Sequence, residues 1–178
     1  MAPEFSRPYR LDGFGSVPRD IAIEAGEAER AALARRFDLV GVARLAAVAT
    51  IARSGDSVSA RGTVSATVTQ SCIATGEPVE ERIEEEFRID FRPQPEVRSA
   101  EEEVELSEGE LDVVFYQGNA VDLGEAAAET MSLALNPFPR SPRAEEALRS
   151  AGVKSEEEAK AQSSPFAALA ALKDRSNP

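Results

Sequence analysis

The chain has no histidine, no tryptophan and one cysteine, Cys72, and each scarcity excludes a class of chemistry. Without imidazole there is no Ser-His-Asp or Cys-His arrangement, and no side chain that serves as an unperturbed base near neutral pH. One cysteine cannot close an internal disulfide or, without histidine, anchor a structural zinc site. A nucleophilic Cys72 would need a cation or a helix N-terminus beside it. Its neighbours Gln70, Ser71, Ile73 and Ala74 bring no charge, so the thiol reads as buried and inert. Aromatic residues make up 6% of the chain, which leaves alanine and valine to supply much of the core.

Long apolar runs are also missing. The longest, "LVGVARLAAVATIA", is interrupted by Arg44 and is too short to span a bilayer as a helix. The opening "MAPEFSRPYRL" joins no basic segment to an apolar one and so does not read as a signal peptide. A soluble, cytoplasmic protein is expected.

What is abundant is negative charge, and it is concentrated. The net charge is −12 over 178 residues, yet residues 77–112 alone hold fifteen Asp and Glu against four Arg, a balance of −11. Solubility tuning would spread the charge. Such a stretch repels RNA phosphates and complements a basic partner.

The length suits one domain. "FSRPYRL" reads as a short edge strand, since Pro8 lacks a ladder donor, and "RDIAIEA" as a second. Glu27 and Glu29 ahead of Leu33, Phe37, Arg35 and Arg36 predict a helix over about 26–37. Residues 42–53 return to a strand pattern. In "VSARGTVSATVTQ" the even positions Val58, Ala60, Gly62, Val64, Ala66 and Val68 share one face and the odd positions are polar. "ERIEEEFRIDF" follows beyond the turn "ATGEP", with Ile83, Phe87, Ile89 and Phe91 on one parity and Arg82, Glu84, Glu86, Arg88 and Asp90 on the other. Residues 42–92 thus predict a three-stranded meander with one wet face. "VRSAEEEVELSEGE" has too little apolar material to order by itself and reads as an acidic loop at about 94–110. "LDVVFY" resumes as a strand. Then Asp122 caps a helix, with Glu125 completing a capping box, and Asn136 before Pro137 ends it.

Candidate chemistry is thin. Glu84 and Glu86 lie roughly 6.7 Å apart on one strand face, near the separation of an inverting glycosidase. Solvated strand faces show that spacing constantly, and no aromatic sugar platform accompanies it. "GFG" and "TGEP" lack the remaining glycines and the lysine of a phosphate loop. "EEEVELSEGE" lacks the spaced ligands of a calcium loop. "PFPR" with Arg140 and Arg143 reads as a rigid connector. No catalytic residue, metal or cofactor is called for.

The order of "GTVSATVTQSCIATGEPV", a charged strand, an acidic gap, "LDVVFYQGNAVDLGEAAAETMSLALNPFPRSP" and a terminal "PFAALAALK" resembles the bacterial YceD family over about residues 40–173. The resemblance implies a role in the synthesis, processing or stability of large-subunit ribosomal RNA. In the family it resembles, the genes often neighbour one for a small basic ribosomal protein. Many relatives place a second cysteine three residues after the first; here Thr75 stands there, which removes any metal or redox role for such a pair.

The fold expected is α+β, an antiparallel β-meander sheet with partial closure into a barrel as a variant, two or three helices, a flexible acidic loop and a C-terminal tail. Residues 1–140 form the domain, and residues 141–178 a flexible tail with a short terminal helix. The function expected is non-enzymatic. The chain would support large-subunit ribosomal RNA by binding a basic ribosomal protein or assembly factor, with any RNA contact indirect and no membrane involved. The residues expected to carry this are Glu80, Glu84, Glu86, Asp90, Glu101, Glu102 and Glu103, with Phe138 as an apolar anchor. The alternatives are a metal-dependent RNA-processing enzyme drawing on Glu84, Glu86, Asp90 and Asp122, and an acidic adaptor unconnected with ribosomes.

Overall fold

The computed structural model describes residues 3–13, 17–95 and 112–154. Among these residues seven strands and three α-helices follow one another. They are β1 (Pro8–Arg10), β2 (Arg19–Glu24), α1 (Glu27–Arg36), β3 (Gly41–Ser54), β4 (Ser57–Ser71), β5 (Pro78–Pro93), β6 (Asp112–Tyr116), β7 (Ala120–Asp122), α2 (Leu123–Leu133) and α3 (Ala144–Ser150). The fold is α+β, and residues 42–92 do form the expected three-stranded meander.

Five strands make an open sheet in the order β2-β3-β4-β5-β6, and β1 pairs with β7 in a separate two-stranded sheet. The partly closed barrel is therefore corrected to an open sheet. Its outer strands β2 and β6 are short and do not meet, and the apolar face is covered by α2 rather than by closing strands. The last pair is also not part of an antiparallel meander, because β6 runs parallel to β5, with Ile89 beside Asp112 and Pro93 beside Tyr116. The N-terminal segment is divided between the two sheets. β2 extends the main sheet along Ala46–Ile51 of β3, while β1 lies against β7.

Period-two patterning sets the core. Val58, Ala60, Val64, Ala66 and Val68 of β4 are buried, as are Leu45, Ala47 and Ile51 of β3 and Ile83, Ile89 and Phe91 of β5. Each fully buried valine contributes roughly 1.5 kcal/mol or more. Gly62 sits on the same parity because nothing larger fits: a Cβ there would lie 1.9 Å from the carbonyl oxygen of Val48. Above this face lies α2, whose Leu123, Ala127 and Met131 are buried with Ala126, Ala128 and Phe5. Gly124 lets the N-terminal segment cross closely, since its Cβ would stand 2.4 Å from the Phe5 carbonyl oxygen.

Asp122 caps α2 as expected, accepting from the backbone N–H of Gly124 (3.0 Å) and Glu125 (3.2 Å). The same carboxylate also accepts from Ser6 Oγ (2.5 Å) and Arg7 N–H (2.8 Å). Glu125 does not turn back to complete a capping box; its carboxylate faces Arg36 across the fold. That reciprocal bond is found instead at α1, where Glu29 accepts from Gly26 N–H at 2.7 Å. Arg7 grips the same Glu29 through two hydrogen bonds of 2.6 and 2.8 Å, which hold its carboxyl below the ordinary range against the opposing effect of burial.

Residues beyond Pro139 hold the β4–β5 turn. Ser141 is buried, donates its N–H to Cys72 Sγ at 3.2 Å and its hydroxyl to Glu77 at 2.8 Å, and lies 3.1 Å from the Thr75 hydroxyl. Arg143 forms an ion pair with Glu77, and Ala144 of α3 is buried. Cys72 is buried as the sequence implies. Burial pushes its thiol up, while hydrogen bonds from Ser141, Thr75 and Ala74 pull it down to about 6 from an ordinary 9.0. The terminal "PFAALAALK" lies outside the described residues.

Candidate partner-binding surface

β5 carries the site, and its two parities have different tasks. On the parity away from α2, Glu80, Arg82, Glu84, Glu86 and Arg88 are exposed and Asp90 is half-buried. The acids' neighbours across β4 are short and polar, Thr69 facing Glu80, Ser65 facing Glu84, Thr63 facing Glu86 and Ser59 facing Asp90, while Thr67 faces Arg82 and Arg61 faces Arg88. These short side chains leave the carboxylates standing above the sheet. Arg82 lies 3.8 Å from Glu80. Among the described residues Glu84 and Glu86 have no ion-pair partner, so their charge is available to a ligand.

From Glu80 to Asp90 the carboxylates extend over ten strand steps, roughly 33 Å at the usual rise. This is a line rather than a pocket, and it suits an extended ligand. Phe138, the expected apolar anchor, is 66% exposed. It stands at the Pro78 end of β5, on a connector tied down by Ile73 N–H donating to the Pro139 carbonyl (3.0 Å) and by Gln70 Nε2 donating to the Asn136 carbonyl (3.1 Å). Ile73, 54% exposed, is part of the same end of the molecule. Glu101, Glu102 and Glu103, with most of the expected acidic loop, lie outside the described residues.

Two acids on the apolar parity follow a different logic. Glu81 accepts from Gln70 Nε2 (2.7 Å) and from Asn136 N–H (3.1 and 3.2 Å), and so ties the turn after α2 to the sheet. Glu85 breaks the alternation between Ile83 and Phe87 and is exposed. It opens onto a groove of about 560 Å³ beside Phe87, Arg88, Thr130, Leu133 and Ala134. Leu133, 85% exposed, is the apolar wall of that groove. The irregular acid at 85 was the one sequence signal for this groove, because an alternating strand covered along its whole length would place an apolar residue there.

The four acids named for a magnesium-dependent alternative are not brought together. Asp122 lies on β7 in the other sheet, with its carboxylate engaged by four donors. Among the described residues no three metal-ligating side chains cluster. Among the same residues no helix is long and apolar enough to cross a membrane.

A family model described as large ribosomal RNA subunit accumulation protein YceD matches residues 60–173. This span takes in most of β4, all of β5 and the groove beside them. No curated protein and no solved structure matches the chain.

Proposed function

Because the chain belongs to the YceD family of large ribosomal RNA subunit accumulation proteins, we propose that it supports that RNA as a non-enzymatic factor. In this reading it holds a basic ribosomal protein or assembly factor on the outer face of β5. The family description ties the chain to the accumulation of large-subunit ribosomal RNA.

One observation carries it. Glu84 and Glu86 are exposed, lie above a floor of Thr63 and Ser65, and form no ion pair among the described residues. Unpaired surface carboxylates contribute little to folding. They do raise the encounter rate with a cation-rich partner and disfavour anionic ones. Direct grip on RNA phosphates would run against the same charge.

The test is recovery from lysate at low and moderate salt, comparing the native chain with Glu80→Gln/Glu84→Gln/Glu86→Gln. The native chain should retain large-subunit ribosomal proteins or assembly factors at low salt and lose them as salt rises. The variant should lose them at both salts while keeping its melting temperature. Equal recovery by native and variant proteins, or no ribosomal component from either, would overturn the reading.

A further inference from the structure

β5 is paired along one side by β4 over residues 78–91, but β6 covers its other side only over residues 89–93. Among the described residues, positions 78–88 of that second side have no strand partner. Alternate residues of an open edge direct N–H and C=O groups outward, ready for another strand. Over this length the edge runs roughly 33 Å. We propose that it takes an extended, lysine- and arginine-rich segment of a partner protein as an added strand. This rests on the reading above that the acidic strand meets a basic partner, and adds to it how the partner is held.

Proteins close such edges with proline, bulges, short strands or a covering element. Here the only proline in the free stretch is Pro78 at its start, and the register shift of the sheet lies in β3, between Val42 and Arg44. What guards the edge is charge. Glu80, Arg82, Glu84, Glu86 and Arg88 reject an apolar strand and admit one whose side chains answer them.

The two faces ask for different side chains from the same ligand. On the outer face, bases are needed beside Glu80, Glu84 and Glu86, each cross-strand pair contributing about 0.2–1 kcal/mol. On the inner face the incoming strand passes the groove lined by Phe87 and Leu133, with Glu85 at its mouth. An apolar side chain there would cover Leu133, and a base would meet Glu85. Alternating basic and apolar residues, with an acid in place of the base opposite Arg82 and Arg88, therefore satisfy both faces, with the backbone ladder supplying affinity that charge alone does not.

A second copy of this chain answers part of the same pattern. Set antiparallel with Glu84 opposite itself, it would pair Glu80 with Arg88 and Arg82 with Glu86. That register also puts Val79 and Pro78 of one copy where Asp112 and Val113 already pair with Ile89 and Asp90 of the other. It would further bring two chains of net charge −12 together. A separate basic segment has neither conflict.

The experiment uses the full chain and two synthetic peptides as long as the free edge, both alternating valine with lysine except for glutamate at the positions that face Arg82 and Arg88. The second is N-methylated throughout its central residues, so it keeps the charge but cannot donate to a ladder. We expect the first peptide to bind at least about tenfold more tightly, to slow amide exchange at alternate positions within 78–88, and to shift the Phe87 and Leu133 resonances. Equal binding by both peptides, with no amide protection, would overturn strand addition and leave the charged surface standing. Binding by neither peptide overturns strand addition; the variant pull-down then decides the broader reading independently. Amide protection over 78–88 in a dimer without peptide would assign the edge to self-pairing and overturn the proposal.

Discussion

Arg36 near the end of α1 donates two hydrogen bonds, of 2.9 and 2.7 Å, to the carboxylate of Glu125 in the first turn of α2, although 89 positions separate them. A third bond of 2.9 Å reaches Glu4. One guanidinium thus joins the first helix, the second helix and the N-terminal segment. Arg36→Met should cost about 1–2 kcal/mol, since charge-assisted bonds at this partial exposure keep only part of their strength. Thermal unfolding should fall by roughly 3–6 °C. A double-mutant cycle with Glu125→Gln should recover a coupling of about 0.5 kcal/mol or more; additivity would mean that the pair is ornamental.

Asp122 combines a helix cap with two bonds to the N-terminal segment. Its replacement by alanine should lower stability by about 2–3 kcal/mol, more than a cap alone contributes. Asp122→Asn keeps an acceptor and should restore about half. Urea denaturation of the two variants gives the comparison, and equal midpoints would show that only the charge matters.

Gly62→Ala places a methyl group 1.9 Å from a backbone oxygen of the neighbouring strand. Backbone cannot step aside as a side-chain tip can. The variant should lose about 3 kcal/mol or more, or fail to accumulate as folded protein. Gly41→Ala, where a Cβ meets nothing within 4 Å, is the matched control and should fold normally.

Cys72 supplies a pH signature. Its folded-state pKa, about 6, lies below the ordinary 9.0. A group with a lowered folded value stabilises the fold fully above its unfolded pKa and loses that contribution as pH falls to the folded one. Stability should therefore rise between pH 6 and 9, and Cys72→Ala should flatten the rise. Thiolate ultraviolet absorbance in the native protein should titrate near pH 6 and return towards 9 in denaturant. At 3% exposure the thiolate should still react slowly with thiol reagents until the protein unfolds.

Much of the sheet was legible because strands advertise themselves with period two, which β4 keeps from Val58 to Val68 and β5 keeps apart from Glu81 and Glu85. The cap at Asp122 was equally legible, since an acid ahead of an apolar helix has a local task. What failed to show was non-local. Nothing near Glu125 announces that it faces Arg36 rather than Asp122. The direction of β6 depends on where the chain re-enters the sheet, not on the residues of "DVVFY". The helix at Ala144–Ser150 starts at Arg143 with no side-chain cap, so it lacked the usual opening signal. Of the expected surface, the outer acids were readable from alternation, whereas Glu81 and Glu85 share a parity and differ in role. The turn after α2 reaches Glu81, and the helix itself stops at Leu133, short of covering Glu85.

The parallel joining of β5 and β6 has a consequence for tolerated change. Parallel strands cannot be joined by a hairpin turn, so the link from β5 to β6 needs a certain length whatever its charge. Exchanging glutamates between 94 and 111 leaves that length unchanged. Trimming the stretch to hairpin length would deny β6 its approach and reverse its polarity, so this part of the chain is free in composition but bounded in length.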